Sequence, residues 1–243
     1  MKKILALVLA LAMVLSLAAC SSTPAESAAP TDAPAESAEA PAESAEAPAD
    51  NAEPSVINVC LASEPDSIDP ALNSAVDGAT LTAHLFSGVA KWAQDENGNL
   101  EIVADAATEL PEGVTNEDGT VTYTYTLRDG MTWSDGQPVT AGDFAFAWKR
   151  AASPALAADY GYMFEVVDGY ADVWATDDAG NYVNPDAELN VVALDDKTLQ
   201  VTLSNAVAYW NELLAFPAYF PVREDVVANE AWATDPSTYV CNG

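Results

Sequence analysis

The sequence predicts a mixed α+β body, strand-rich with a few short helices, behind a long low-complexity lead. Three observations carry this. Val121, Tyr123, Tyr125 and Leu127 alternate with Thr122, Thr124 and Thr126, which places one apolar face on a strand. Leu189–Leu194 and Thr198–Leu203 flank an Asp-Asp-Lys turn and predict a hairpin. Phe144, Trp148 and Ala151 recur at i, i+4 and i+7, the buried stripe of a short helix. Strands that cluster apart from helices argue for a mixed body rather than repeated strand–helix units.

The lead has two parts. Lys2 and Lys3 precede an unbroken 12-residue apolar run, Ile4–Leu15, and small residues follow it. That is the layout of a secretory signal over residues 1–19, too short to be a permanent membrane helix. Cys20 directly after Leu17-Ala18-Ala19 resembles the bacterial lipobox, which implies a lipid on its thiol. Residues 20–55 are mostly Ala, Pro, Ser and Glu, with a seven-residue repeat (APAESAE) at Ala33–Glu39 and Ala40–Glu46. Six prolines and eight carboxylates prevent a helix or a core there, so this stretch is expected to be a disordered tether.

Residues 56–243 are expected to form the folded part. Val56–Leu61 (VINVCL) reads as a strand, Ser63–Pro70 as a polar loop and Thr80–Phe86 as a helix. Trp92 and Leu100–Val103 flank an Asn-Gly turn, a hairpin signal. Met131-Thr132-Trp133 reads as a short strand between two Asp-Gly turns. Thr140 and Asp143 have capping-box spacing ahead of the helix Phe144–Ala151. A further helix over Tyr209–Phe216 is stopped by Pro217.

Composition excludes more than it selects. The folded part has 30 acidic residues against six cations, Lys91, Arg128, Lys149, Arg150, Lys197 and Arg223. Nucleic-acid binding needs a basic footprint, and this chain lacks one. The acidic loop from Asp95 fails as a calcium loop, because leucine stands where glycine is required and Ala106 where a glutamate is required. No nucleophile elbow, phosphate loop, dinucleotide fingerprint or paired-cysteine motif is present. His84 is the only histidine, and its apolar neighbours Leu81, Leu85 and Phe86 read as helix packing. The sequence therefore points to no enzyme, no metal and no cofactor. With Cys20 acylated, Cys60 and Cys241 remain, and both a disulfide and two buried thiols stay open.

Leu127–Ala151 (LRDGMTWSDGQPVTAGDFAFAWKRA) resembles the signature of the extracellular oligopeptide-binding proteins of ABC importers, the dipeptide, oligopeptide and nickel-binding family. SEPDSIDPALN, LFSG, LNVVALDDKTLQVTL, YWNELLAFPAYFPV and WATDPSTYVCNG resemble further parts of that family, in the same order. The resemblance implies a large periplasmic-binding-protein-like fold of two lobes, of which this chain holds the first. About 56–88 and 205–243 would form subdomain Ia, and about 89–204 the inserted subdomain Ib.

It also implies capture of oligopeptides outside the cell for an ABC permease and its ATPase, by a monomer lipid-anchored to the outer face of the cytoplasmic membrane. A nickel chelate or another small solute is the alternative ligand, and a secreted hydrolase a remote one. The loop Asn73, Ser74, Ala75, Val76 and Asp77 is expected to pair with peptide backbone as an added strand. Tyr160 matches an aromatic position beside the peptide, with plain packing as its alternative reading. In the family fold Cys60 and Cys241 would both lie in subdomain Ia, close enough for a bridge. The chain is expected to be a fragment, poorly soluble on its own and a weak peptide binder, because one wall of a cleft encloses little of a ligand.

Overall fold

The computed structural model describes residues 58–61, 63–235 and 237–243; the signal, Cys20 and the tether lie outside them. The expected strand Val56–Leu61 is a correction in its described part: residues 58–61 belong to no strand, and Val59 is 77% exposed. An apolar run becomes a strand only by pairing its amides along an edge, and no described strand lies against it.

Helix α1 spans Val76–Leu85, beginning one turn before the expected Thr80. His84 is exposed on it, which corrects the reading of a packed histidine; Thr82 and Gly78 face inward instead. Next come β1 (Ala90–Gln94) and β2 (Leu100–Ala104), antiparallel with Trp92 opposite Ile102. Their connection turns on Asp95, whose carboxylate accepts from the amides of Asn97 and Asn99. The Asn99 amides hold that carboxyl below the usual range. Gly98 supplies the positive φ of 83° that this turn needs.

The main sheet contains β3 (Val114–Thr115), β4 (Val121–Thr126), β5 (Val191–Ala193) and β6 (Thr198–Leu203), ordered β3-β4-β6-β5 and antiparallel throughout. The expected alternation is present: Val121, Tyr125 and Leu127 are buried, and Thr124 and Thr126 are exposed. Strand β6 sits centrally, with Leu199, Val201 and Leu203 fully buried, and faces β4 so that Tyr125 lies opposite Leu199.

Helix α2 (Ala141–Ala152) packs on β5 and β6 through the expected stripe of Phe144, Trp148 and Ala151. Two short helices, α3 (Tyr170–Val173) and α4 (Trp210–Leu214), and a 3-10 turn at Pro217–Tyr219 complete this core before α5 (Glu224–Val227). The core is aromatic, and its polar handles are satisfied, as buried Tyr and Trp require, except at the Tyr239 hydroxyl, which is buried without a hydrogen-bond partner. Trp148 Nε1 donates to the Tyr219 carbonyl at 2.8 Å, Trp210 Nε1 to the Tyr125 hydroxyl at 2.7 Å, and the Tyr219 hydroxyl to the Met163 carbonyl at 2.9 Å. Burial pushes the Tyr125 and Tyr219 phenols far above their ordinary value, so both stay protonated.

The C-terminal stretch returns to the beginning of the described chain. Ser87 N donates to Asn242 Oδ1, Asn242 Nδ2 to Ser87 O, and Gly243 N to Leu85 O, each at 3.0 Å. Phe86 stacks on Phe220 and meets Tyr239 edge-on.

Candidate functional site

The residues from Leu127 to Arg150 have structural tasks, and the last of them reaches a distant loop. Asp129-Gly130 and Asp135-Gly136 are turns, with positive φ at both glycines. The expected strand between them reduces to a single bridge, Thr132 with Pro138, because the turns leave no room for a ladder and Pro138 has no amide to donate. Trp133 is buried and donates through Nε1 to Asp143 Oδ2 at 3.2 Å. The same oxygen accepts the Thr140 amide at 2.8 Å, while Thr140 Oγ1 accepts the Asp143 amide, so the capping box forms as expected. Burial, only partly offset by these bonds, pushes the Asp143 carboxyl up.

Arg150, near the end of α2, grips Asp69 with both terminal nitrogens: Nη1–Oδ1 is 3.1 Å and Nη2–Oδ2 is 2.7 Å. Asp69 is 2% exposed, so this is a buried, bidentate pair. Asp69 also accepts the Ala71 amide on Oδ1, and its carbonyl accepts the amides of Leu72 and Asn73. Sequence reasoning quoted both residues within separate motifs and missed their pairing. The available signal was the scarcity of cations: with only six in the folded part, an arginine on a buried helix needs a partner.

Beyond the Asp69 turn the structure places the expected ligand loop. Asn73 is buried, and its amide brackets Ala75, accepting from Ala75 N and donating to Ala75 O. Ser74, Ala75 and Val76 are exposed, Val76 at 85%. Ala75 is extended, with φ −108° and ψ 152°, but Val76 and Asp77 already belong to α1. That corrects the expectation of an added strand across the whole of Asn73–Asp77: two helical residues cannot offer strand geometry. The Asp77 carboxylate accepts from the Ser63 hydroxyl and the Gly78 amide, which hold its pKa below the usual range.

Tyr160 is half-buried and lies edge-on to Phe216, with ring centres 4.9 Å apart, and near Tyr162. The structure places Asn73–Ala75 in a loop that runs into α1 at Val76 and Asp77, and it records no contact of Tyr160 with that segment. Cys60 and Cys241 are both free, so the structure holds neither the possible bridge nor two buried thiols. Cys60 is exposed on the segment that pairs with no strand, whereas the Cys241 backbone is fixed by Ser134 through two hydrogen bonds.

All six cations of the folded part are engaged. Lys91 and Arg128 meet Asp105, Lys149 meets Glu188, Arg150 meets Asp69, Lys197 meets Asp129, and Arg223 bridges Asp135 and Asp225. Most of these pairs are exposed and contribute little to stability; their effect is to leave a surface dominated by carboxylates. Among the described residues no cluster of three or more His, Cys, Asp or Glu is placed to hold a metal.

A family model described as bacterial extracellular solute-binding proteins, family 5 (Middle), matches residues 101–243, more than half of the chain. The oligopeptide-binding protein OppA of Bacillus subtilis is 34% identical over 192 residues, covering 78% of this chain and 32% of that protein. The probable deoxycholate-binding periplasmic protein YgiS of Escherichia coli is 33% identical over 192 residues, covering 74% and 32%. Among solved structures, Listeria monocytogenes OppA bound to peptide superposes with a TM-score of 0.59 at 35% identity, over 73% of this chain and 33% of that one. This likeness bears out the mixed, binding-protein-like fold. The chain thus spans about a third of the length of these relatives, and it belongs to the family 5 bacterial extracellular solute-binding proteins.

Proposed function

We propose that this chain is part of the extracytoplasmic substrate-binding component of an ABC importer, and that its ligands are oligopeptides. The observation that carries the reading is the exposed segment Ser74–Val76, braced where it enters α1, in a chain about a third identical to OppA proteins, one of them solved with peptide. A braced backbone edge suits a peptide, because main-chain pairing gives affinity without selecting side chains. Asn73 would shape the edge from behind, Asp77 would flank it, and Tyr160 would offer the ligand an aromatic surface elsewhere on the chain. Capture would involve no chemistry on the ligand. The pairing of residues 85–87 with 242–243 supports grouping 56–88 and 205–243 as one subdomain beside 89–204.

The similarity to YgiS favours a second reading, a small amphipathic solute such as a bile acid. Calorimetry of the protein against a mixed pool of short peptides, against deoxycholate and against nickel separates these. Heat with the peptide pool alone is expected; heat with deoxycholate or nickel alone would replace the peptide reading, and release of cleaved peptide would make the protein a hydrolase.

The lead supports a place on the membrane surface. Cys20 would carry the lipid and residues 21–55 would hold the domain clear of the bilayer. The protein would act as a monomer alongside the permease and its ATPase. Cys20→Ser is expected to move the protein from the membrane fraction to the medium, since one lipid thioether with further acylation supplies the two chains that stable anchoring needs. Retention of the variant in the membrane fraction would reject the anchor.

A further inference from the structure

We infer that Arg150 is a positioning residue for ligand capture: from the end of α2 it fixes, through Asp69, the backbone that presents Ser74–Val76. The inference rests on the proposed ligand role of that loop and assigns the group that sets its shape.

The connection is a short relay of bonds. The guanidinium fork meets both carboxylate oxygens of Asp69, so the plane of the carboxylate is fixed as well as its distance. With that plane fixed, Oδ1 lies 3.0 Å from the Ala71 amide, and the Asp69 carbonyl closes the turn onto Leu72 and Asn73 at 3.1 and 2.9 Å. Asn73 then brackets Ala75 on both its amide and its carbonyl. Gly78 completes the relay. A Cβ at that position would stand 2.0 Å from Asn73 Oδ1 and 2.8 Å from the Ser67 carbonyl, so only glycine lets the first turn of α1 close against the asparagine.

Two features separate positioning from simple stabilisation. A buried ion pair recovers its desolvation only with good geometry, and an apolar pair of similar volume often serves stability as well. What the fork adds is orientation. Moreover α2 is anchored to the core by Trp148, two residues before Arg150, so the loop takes its position from the core rather than from its own ends. The output of the relay is three exposed residues, Ser74, Ala75 and Val76, held in place from behind.

Arg150→Lys keeps the charge and removes the fork; Asp69→Asn keeps the shape and removes the charge, and serves if the first variant folds poorly. Hydrogen exchange in the intact protein is expected to speed up about tenfold at Leu72, Asn73 and Ala75, while Val201 in β6 keeps its rate. Affinity for the peptide pool is expected to fall by a similar factor, with the tryptophan fluorescence spectrum unchanged. Exchange that is unchanged at the loop, or faster everywhere in proportion, overturns the clamp. Faster loop exchange with undiminished peptide affinity overturns the positioning role. If the unaltered protein binds no peptide, the functional reading fails together with that role, and the exchange rates still decide whether Arg150 orders the loop.

Discussion

Replacing Trp148 by alanine is expected to destabilise the protein by about 3–5 kcal/mol, the range for deleting a large aromatic from a packed core. Its side chain is fully buried, and its ring lies 5.1 Å from Tyr219, 6.1 Å from Trp210 and 6.4 Å from Phe164. The substitution empties the space between α2 and the 3-10 turn at Pro217–Tyr219. It also removes the donor to the Tyr219 carbonyl, leaving a buried acceptor without its bond. Since a domain of this size has a net stability of roughly 5–15 kcal/mol, one substitution removes a large part of it. Urea denaturation followed by circular dichroism provides the measurement, with Trp92→Ala as the control. Trp92 is 53% exposed, and its loss is expected to change stability by no more than about 0.5 kcal/mol. Equal midpoints for the two variants would mean that Trp148 does not organise the core.

The second large effect is at the buried pair. Arg150→Met leaves the Asp69 carboxylate enclosed and uncompensated, and is expected to cost about 3–5 kcal/mol. Adding Asp69→Asn to the same chain removes the stranded charge and keeps an acceptor for the Ala71 amide. The double variant is therefore expected to recover most of the loss, although it carries one more change. Denaturant midpoints of the single and double variants test this. A double variant less stable than Arg150→Met would show that the carboxylate is tolerated without its partner.

These two sites show what sequence makes legible. The capping box of Thr140 and Asp143, the alternation of Val121–Leu127 and the two hairpins are local: each is a spacing whose physical cause lies within a few residues. All of them formed. The Arg150–Asp69 pair joins positions 81 apart, and the Trp148–Tyr219 bond positions 71 apart, and neither separation leaves a mark on local pattern. Residues 58–61 failed as a strand for the complementary reason: apolar content gives a strand its tendency, but only a neighbouring edge gives it pairing. His84 failed because Leu85 is offset around the helix and Phe86 lies beyond its end, so their burial does not carry His84 inward. Of the candidate site, the loop was located by resemblance, while the bracing of that loop by α2 required coordinates.

The pairing of Ser87 with Asn242 has a consequence for synthesis. A growing polypeptide emerges in order from its first residue, yet this contact closes a loop of 155 residues and needs both ends at once. Before residue 242 is free, Phe86 can already meet Phe220 and Tyr239, and Asp69 can meet Arg150, but the Ser87 amide and carbonyl lack their partner. Closure over such a separation comes at an entropic cost that only the finished contacts offset. The nascent chain is thus expected to close this end of the domain, around Leu85–Ser87, as a late event. A segment that stays open until its distant partner is made is one that can still be threaded through a narrow passage.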